Sequence, residues 1–95
     1  MASYWHLQQK QQRLKKQISS NLDFLTGSVT TKGPARTGHN LTFKVNQVTK
    51  SRHIRKSMLA KVKQMTRRYK TMKILMQDLS SVNWELLKKD SEVKH

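Results

Sequence analysis

From residue 55 onward the chain has no glycine and no proline. Across that stretch apolar residues return at alternating steps of four and three. Met58, Val62, Met65, Tyr69, Met72, Met76, Leu79, Asn83 and Leu86 make four heptads with one polar interruption. A repeat of 3.5 residues calls for a helix, and its seam needs a second helix lying along it. The spacing predicts a helix over residues 56–89, roughly 50 Å long at about 1.5 Å per residue, with 90–95 as a tail. Asn83 stands where a polar residue can fix register, unless a break near Ser80-Ser81 moves it off the seam. Methionine and tyrosine at this spacing read as ordinary core side chains, not as a cofactor box.

The nearest cover for that seam is the amino-terminal segment. Tyr4, Leu7, Gln11, Leu14, Ile18, Asn21 and Leu25 follow the same stepping, and Leu22 and Phe24 widen the far end. An amphipathic helix over 3–25, folded back antiparallel, is expected. All three glycines (Gly27, Gly33, Gly38) and the only proline, Pro34, fall among Thr26, Ser28, Thr30, Thr31 and Thr37. They predict a loop over 26–40, with Gly33-Pro34 its strongest breaker. Leu41-Thr42-Phe43-Lys44-Val45 then alternates apolar and polar residues, and Val48 to Ile54 continues with β-branched and polar ones. Asn46-Gln47 fits a two-residue turn, giving a hairpin over 41–54. On its second strand Thr49, Ser51 and His53 share one face, and Val48, Lys50, Arg52 and Ile54 the other. Gly27-Ser28-Val29-Thr30 has the makings of a short third strand. A two-stranded ribbon is marginal alone, so the hairpin is expected to pack on the helix ends. The expected fold class is α+β, mainly α. It is one domain over 1–95: a long antiparallel, coiled-coil-like helical hairpin with a small basic β-hairpin between the two helices.

Charge narrows the function. Twenty Lys/Arg oppose five Asp/Glu, a formal charge of +15, and hydrophobic residues make up only 35% of the 95. Self-repulsion at this charge works against compaction. Elongated packing, a second copy or a polyanionic partner would answer it. Phe24 through Gln77 contains no acid, whereas the last eighteen residues hold Asp78, Glu85, Asp90 and Glu92. A surface shaped only for solubility interleaves both signs. On the predicted long helix Lys56, Lys63 and Lys70 recur every seven residues with Arg67 among them, an expected outward stripe opposite the seam. Lys61 and Arg68 form a second row. Lys44, Lys50, Arg52 and Arg55 extend the positive surface over the hairpin. Neighbouring like charges on a helix cost a few tenths of a kcal/mol, and a polyphosphate that releases its counterions on contact would reverse that sign. A β-ribbon can also enter a major groove, where Arg52 is the candidate reader of guanine edges. Trp5, Tyr4, Phe43, Tyr69 and Trp84 are too dispersed for a multi-base stacking platform.

Other chemistries lack their residues. There is no cysteine, hence no disulfide, thiolate zinc site or cysteine nucleophile. His6, His39, His53 and His95 match no metal-ligand spacing, and the glycines form no phosphate-cradling loop. The acids are too sparse for paired-carboxylate catalysis. No enzyme activity, cofactor or metal is expected. No apolar run reaches the roughly 20 residues of a membrane span. The amino terminus lacks the apolar region of a secretory signal, and its glutamine and lysine content is unlike an Arg- and Ser-rich mitochondrial presequence. A cytoplasmic chain, nucleoid-associated if bacterial, is expected.

Gly38-His39-Asn40-Leu41-Thr42-Phe43-Lys44-Val45, then Thr49-Lys50-Ser51-Arg52-His53-Ile54, Val62 to Tyr69 and Leu79 to Leu87 together resemble a family of small bacterial domains of unknown function, often encoded near mobile elements. The resemblance covers residues 27–88. That family has a Lys-rich hairpin followed by a long helix with a tyrosine. Its Cys-containing loop and its His-Gly-Pro-Tyr turn are absent here, so no metal or thiol role carries over. The resemblance implies no established activity and favours a DNA-associated role in a prokaryote or its mobile elements.

The expected function is therefore binding of duplex DNA or structured RNA through the phosphate backbone, with Lys44, Lys50, Arg52, Arg55, Lys56, Lys63, Arg67 and Lys70 as contact residues. The alternative is a coiled-coil subunit of a larger protein or ribonucleoprotein assembly, joined to a homodimer partner or another helix through the Met58–Leu86 seam. A basic helix lying on an anionic membrane is a third reading, disfavoured because the apolar stripe is a long narrow seam.

Overall fold

The computed structural model describes residues 3–34 and 36–93. Its elements are α1 (Tyr4–Ser19), β1 (Ser28–Thr31), β2 (His39–Val45), β3 (Val48–Ile54), one 3₁₀ turn (Lys56–Met58) and α2 (Leu59–Val93). They gather into two compact units, residues 1–22 with 71–95 and residues 23–70, so α2 contributes to both.

In the first unit α1 begins at a side-chain cap. The Ser3 hydroxyl oxygen accepts the His6 backbone N–H at 3.2 Å and lies 2.6 Å from the His6 ring Nδ1, filling one of the donors a helix start leaves open. The helix stops at Ser19, short of the expected residue 25. Ser20 donates its hydroxyl to the Lys16 carbonyl at 3.0 Å, and the Asn21 amide donates to the Gln17 carbonyl at 2.8 Å. The Lys16 carbonyl also keeps the Ser20 backbone N–H, while at Gln17 the asparagine side chain replaces the backbone donor, which turns to the Ile18 carbonyl, a way side-chain amides compete with a continuing helix. Leu7 and Leu14 are buried with Val82 and Leu86, and Leu75 and Leu79 pack against them. Gln11 donates to the Asn83 side-chain oxygen at 2.8 Å, while Tyr4 meets Asp90, so the pairing is antiparallel.

The seam itself differs from the expected one. Met72, Leu79 and Leu86 lie on it, but the residues between them are Leu75 and Val82, not Met76 and Asn83. Met76 is 57% exposed. Both choices give a 3.5-residue repeat. The observed one buries Val82, partly buries Leu75 and leaves Asn83 at the seam's edge, bonded to Gln11, whereas the expected one would bury an amide and leave the leucine and valine in water. Met58 also leaves the seam, because it ends the 3₁₀ turn ahead of α2 and is 49% exposed.

The second unit holds a small three-stranded antiparallel sheet in the order β1-β2-β3. Asn46 and Gln47 both take positive φ, 51° and 67°, the two-residue turn whose twist matches a hairpin. It sets the β2–β3 register from Val45 opposite Val48 to His39 opposite Ile54. Leu41 and Ile54 are buried with Val62 of α2, and Leu25, Val29, Phe43 and Leu59 surround them. The chain before β1 is fastened to α2 as well. The Leu25 N–H donates to the Met65 carbonyl at 3.1 Å, Arg68 donates to the Asp23 carbonyl at 3.3 Å, and the Phe24 and Tyr69 rings stack 5.7 Å apart.

These findings correct the expected architecture, an α+β, mainly α, helical hairpin with a two-stranded ribbon set between its two helices. After α1 comes a small three-stranded sheet, and then the long helix. Two physical reasons account for this. A sixteen-residue α1 cannot run along a thirty-five-residue α2, and a third strand, β1, gives the hairpin the added pairing that a lone ribbon lacks.

Candidate functional site

All eight basic residues singled out in the sequence lie in the second unit. Residues 23–70 carry twelve of the chain's twenty Lys/Arg but only one of its five acids, Asp23. Lys88 pairs with Glu85, at 3.3 Å in the other unit. The sheet unit is therefore a cationic body with almost no internal neutralisation.

Strand pairing sorts the sheet into two faces, because directly opposed residues of an antiparallel pair point the same way. Leu41, Phe43, Lys50, Arg52 and Ile54 share the face that packs on α2. The other face carries Ser28, Thr30, Asn40, Thr42, Lys44, Thr49, Ser51 and His53. It is a hydroxyl-rich surface: Thr30 and Thr42 oxygens are 3.1 Å apart, and those of Thr42 and Ser51 are 3.4 Å apart. Lys44 is the only Lys or Arg on it. Arg52 lies on the opposite face with its guanidinium 5.2 Å from the Phe43 ring centroid, the distance of a cation–π contact. With Leu25, Thr26, Leu41 and Phe43 it lines a shallow hollow of about 200 Å³.

The helix residues are distributed differently from the expected outward stripe. Arg55 precedes the 3₁₀ turn and is exposed. Lys56 lies in that turn, at a depression of about 520 Å³ lined also by Thr37, Gly38, His39, His53, Ile54 and Leu59. Lys63, Arg67 and Lys70 do converge. They line one groove of about 320 Å³ with Gly27, Ser28, Val29 and Thr66. Thr66 is buried, at 7% exposure, and donates its hydroxyl to the Lys63 carbonyl at 2.9 Å. The three cations thus flank the buried side of α2 instead of standing opposite it. At about 100° per residue they project to one side of the Val62–Thr66–Tyr69 line, while Lys61 and Arg68 project to the other.

The sequence showed Gly27 and Ser28 only as turn and strand residues, and it did not single out Thr66. The groove joins residues nearly forty positions apart, and no local pattern announces that meeting. Thr66 could have been noticed, since it sits one turn on from Val62 on the buried side. Among the described residues no group of three or more metal-binding side chains stands together, and no helix is long and apolar enough to cross a membrane. No protein-family model, curated protein or solved structure matches the chain.

Proposed function

We propose that the protein binds nucleic acid, mainly through the phosphate backbone, using the basic surface of residues 23–70. The observation that carries this reading is the separation of charge: twelve cations against one acid in a single compact unit, with the remaining acids all outside it. Concentrating like charge costs stability, and a polyanion that surrenders its counterions repays that cost. Lys44, Lys50, Arg55, Lys56, Lys63, Arg67 and Lys70 supply phosphate contacts. Arg52, turned onto Phe43, belongs to the helix-facing side of the sheet, so direct guanine reading by Arg52 from the outer face is not part of the proposal. The resemblance to mobile-element-associated bacterial domains favours DNA as the polyanion and a nucleoid-associated, cytoplasmic setting.

The test is a titration of labelled duplex DNA, duplex RNA and a single strand over a range of salt. If about six phosphates are engaged, log affinity falls against log salt with a slope near −5. Binding that ignores salt overturns the proposal. A second reading, a helical subunit of a larger assembly, draws on Met76, Trp84 and Leu87. All three are more than half exposed on α2, and they stand apart from the seam that covers α1. Sedimentation without nucleic acid separates the two: an obligate oligomer favours the subunit.

A further inference from the structure

We propose that the groove between the start of β1 and α2 is the seat of a phosphodiester strand, a proposal that rests on the nucleic-acid reading and narrows it to one surface. Lys63, Arg67 and Lys70 all open onto this groove. None of the three makes an ion pair among the described residues. Other cations of the unit are spent elsewhere, Arg52 over Phe43 and Arg68 on the Asp23 carbonyl. The opposite wall is the chain at Gly27 and Ser28. Gly27 has φ +108°, and a Cβ there would strike the Thr42 carbonyl oxygen, so this wall is bare backbone at Gly27, continued by Ser28, whose side chain belongs to the outer face with Thr42, and by Val29. Thr66 forms the floor. Its proton is committed to the Lys63 carbonyl, which leaves Lys63, Arg67 and Lys70 as the donors an anion would meet.

The shape also selects the kind of anion. Lys63 and Lys70 are seven residues apart on α2, about 10 Å at about 1.5 Å per residue, with Arg67 between them. That row outreaches a single phosphate and suits consecutive phosphates of one strand. Such contacts fix position without reading bases, so the seat orients the ligand and leaves the sequence unread.

One pair of full-length variants tests the seat, matched in net charge and checked for folding by circular dichroism. It compares Lys63→Gln/Arg67→Gln/Lys70→Gln with Lys44→Gln/Lys50→Gln/Arg55→Gln. Duplex binding is read by fluorescence anisotropy over a range of salt. The groove triple is expected to bind at least about tenfold more weakly than its comparator and to lower the salt slope by about 2 to 3. Equal losses in the two triples would mean that only overall charge matters, which overturns the seat and leaves nucleic-acid binding standing. A wild-type chain that captures no nucleic acid overturns both. Inorganic phosphate, at matched ionic strength, is expected to displace the duplex no better than chloride. Displacement at low concentration would assign the groove to a free phosphate and overturn the strand.

Discussion

Gly27 precedes β1 at φ +108°, where an added Cβ would meet the Thr42 carbonyl oxygen and lie 2.9 Å from the Phe43 Cβ. Both the left-handed backbone and the close approach oppose any side chain. Gly27→Ala is therefore expected to lower stability by about 1–3 kcal/mol, measured by urea denaturation followed by circular dichroism. A second residue-scale contact is electrostatic. The hydrogen bond to Asp90 holds the Tyr4 phenol above its usual value near 10, and the Asp90 charge and slight burial add to the effect. Because the folded value is the raised one, the contact contributes in full below about pH 10 and is lost as pH climbs through the folded value. Asp90→Asn is expected to bring the Tyr4 transition back toward 10, followed through tyrosinate ultraviolet absorbance. The positive φ values at Asn46 and Gln47 show that a turn can be legible residue by residue. Asparagine before a polar residue, between two alternating runs, had few other options.

At the scale of the element, α2 illustrates how a heptad pattern leaves a choice open. Met72, Leu79 and Leu86 belong to either phase, and the intervening position lies three or four residues on. α1 settles it by packing Leu7 and Leu14 against Val82 and Leu86. Two methionines four residues apart then have opposite fates, Met72 at 4% and Met76 at 57% exposure. Met72→Ala is expected to cost about 2–4 kcal/mol through lost burial and a residual cavity, and Met76→Ala no more than about 0.5 kcal/mol. Thermal melts of the pair check this; equal losses would restore the phase through Met76 and Asn83. α1 carries a parallel lesson. Its apolar stepping continues to Leu25, yet hydrogen bonds from Ser20 and Asn21 to preceding carbonyls close the helix at Ser19. Periodicity alone says which face is buried, not where the helix ends.

Across the whole molecule the dominant fact is the unequal division of charge between the two units. Residues 23–70 repel themselves, and dissolved salt screens that repulsion. Raising sodium chloride from low to moderate concentration, without nucleic acid, is expected to stabilise the protein by about 1 kcal/mol, or roughly 4–8 °C in melting temperature. Calorimetry checks the sign, and a melting point that falls with salt would mean the cations are paired after all. The long helix, the hairpin with its Asn46-Gln47 turn and the acid-free tract were all determined by the order of residues, because each arises from neighbours or from fixed periods. What tertiary structure decided was everything that joins distant residues. β1 pairs with Thr42 and its neighbours, Leu75 and Val82 displace Met76 and Asn83 from the seam, and Arg52 turns onto Phe43. Lys63, Arg67 and Lys70 meet the stretch 27–29 across a groove in the same way. Local sequence limits what each segment can become, but burial is shared between segments, so the pairing that hides the most apolar surface settles which faces meet.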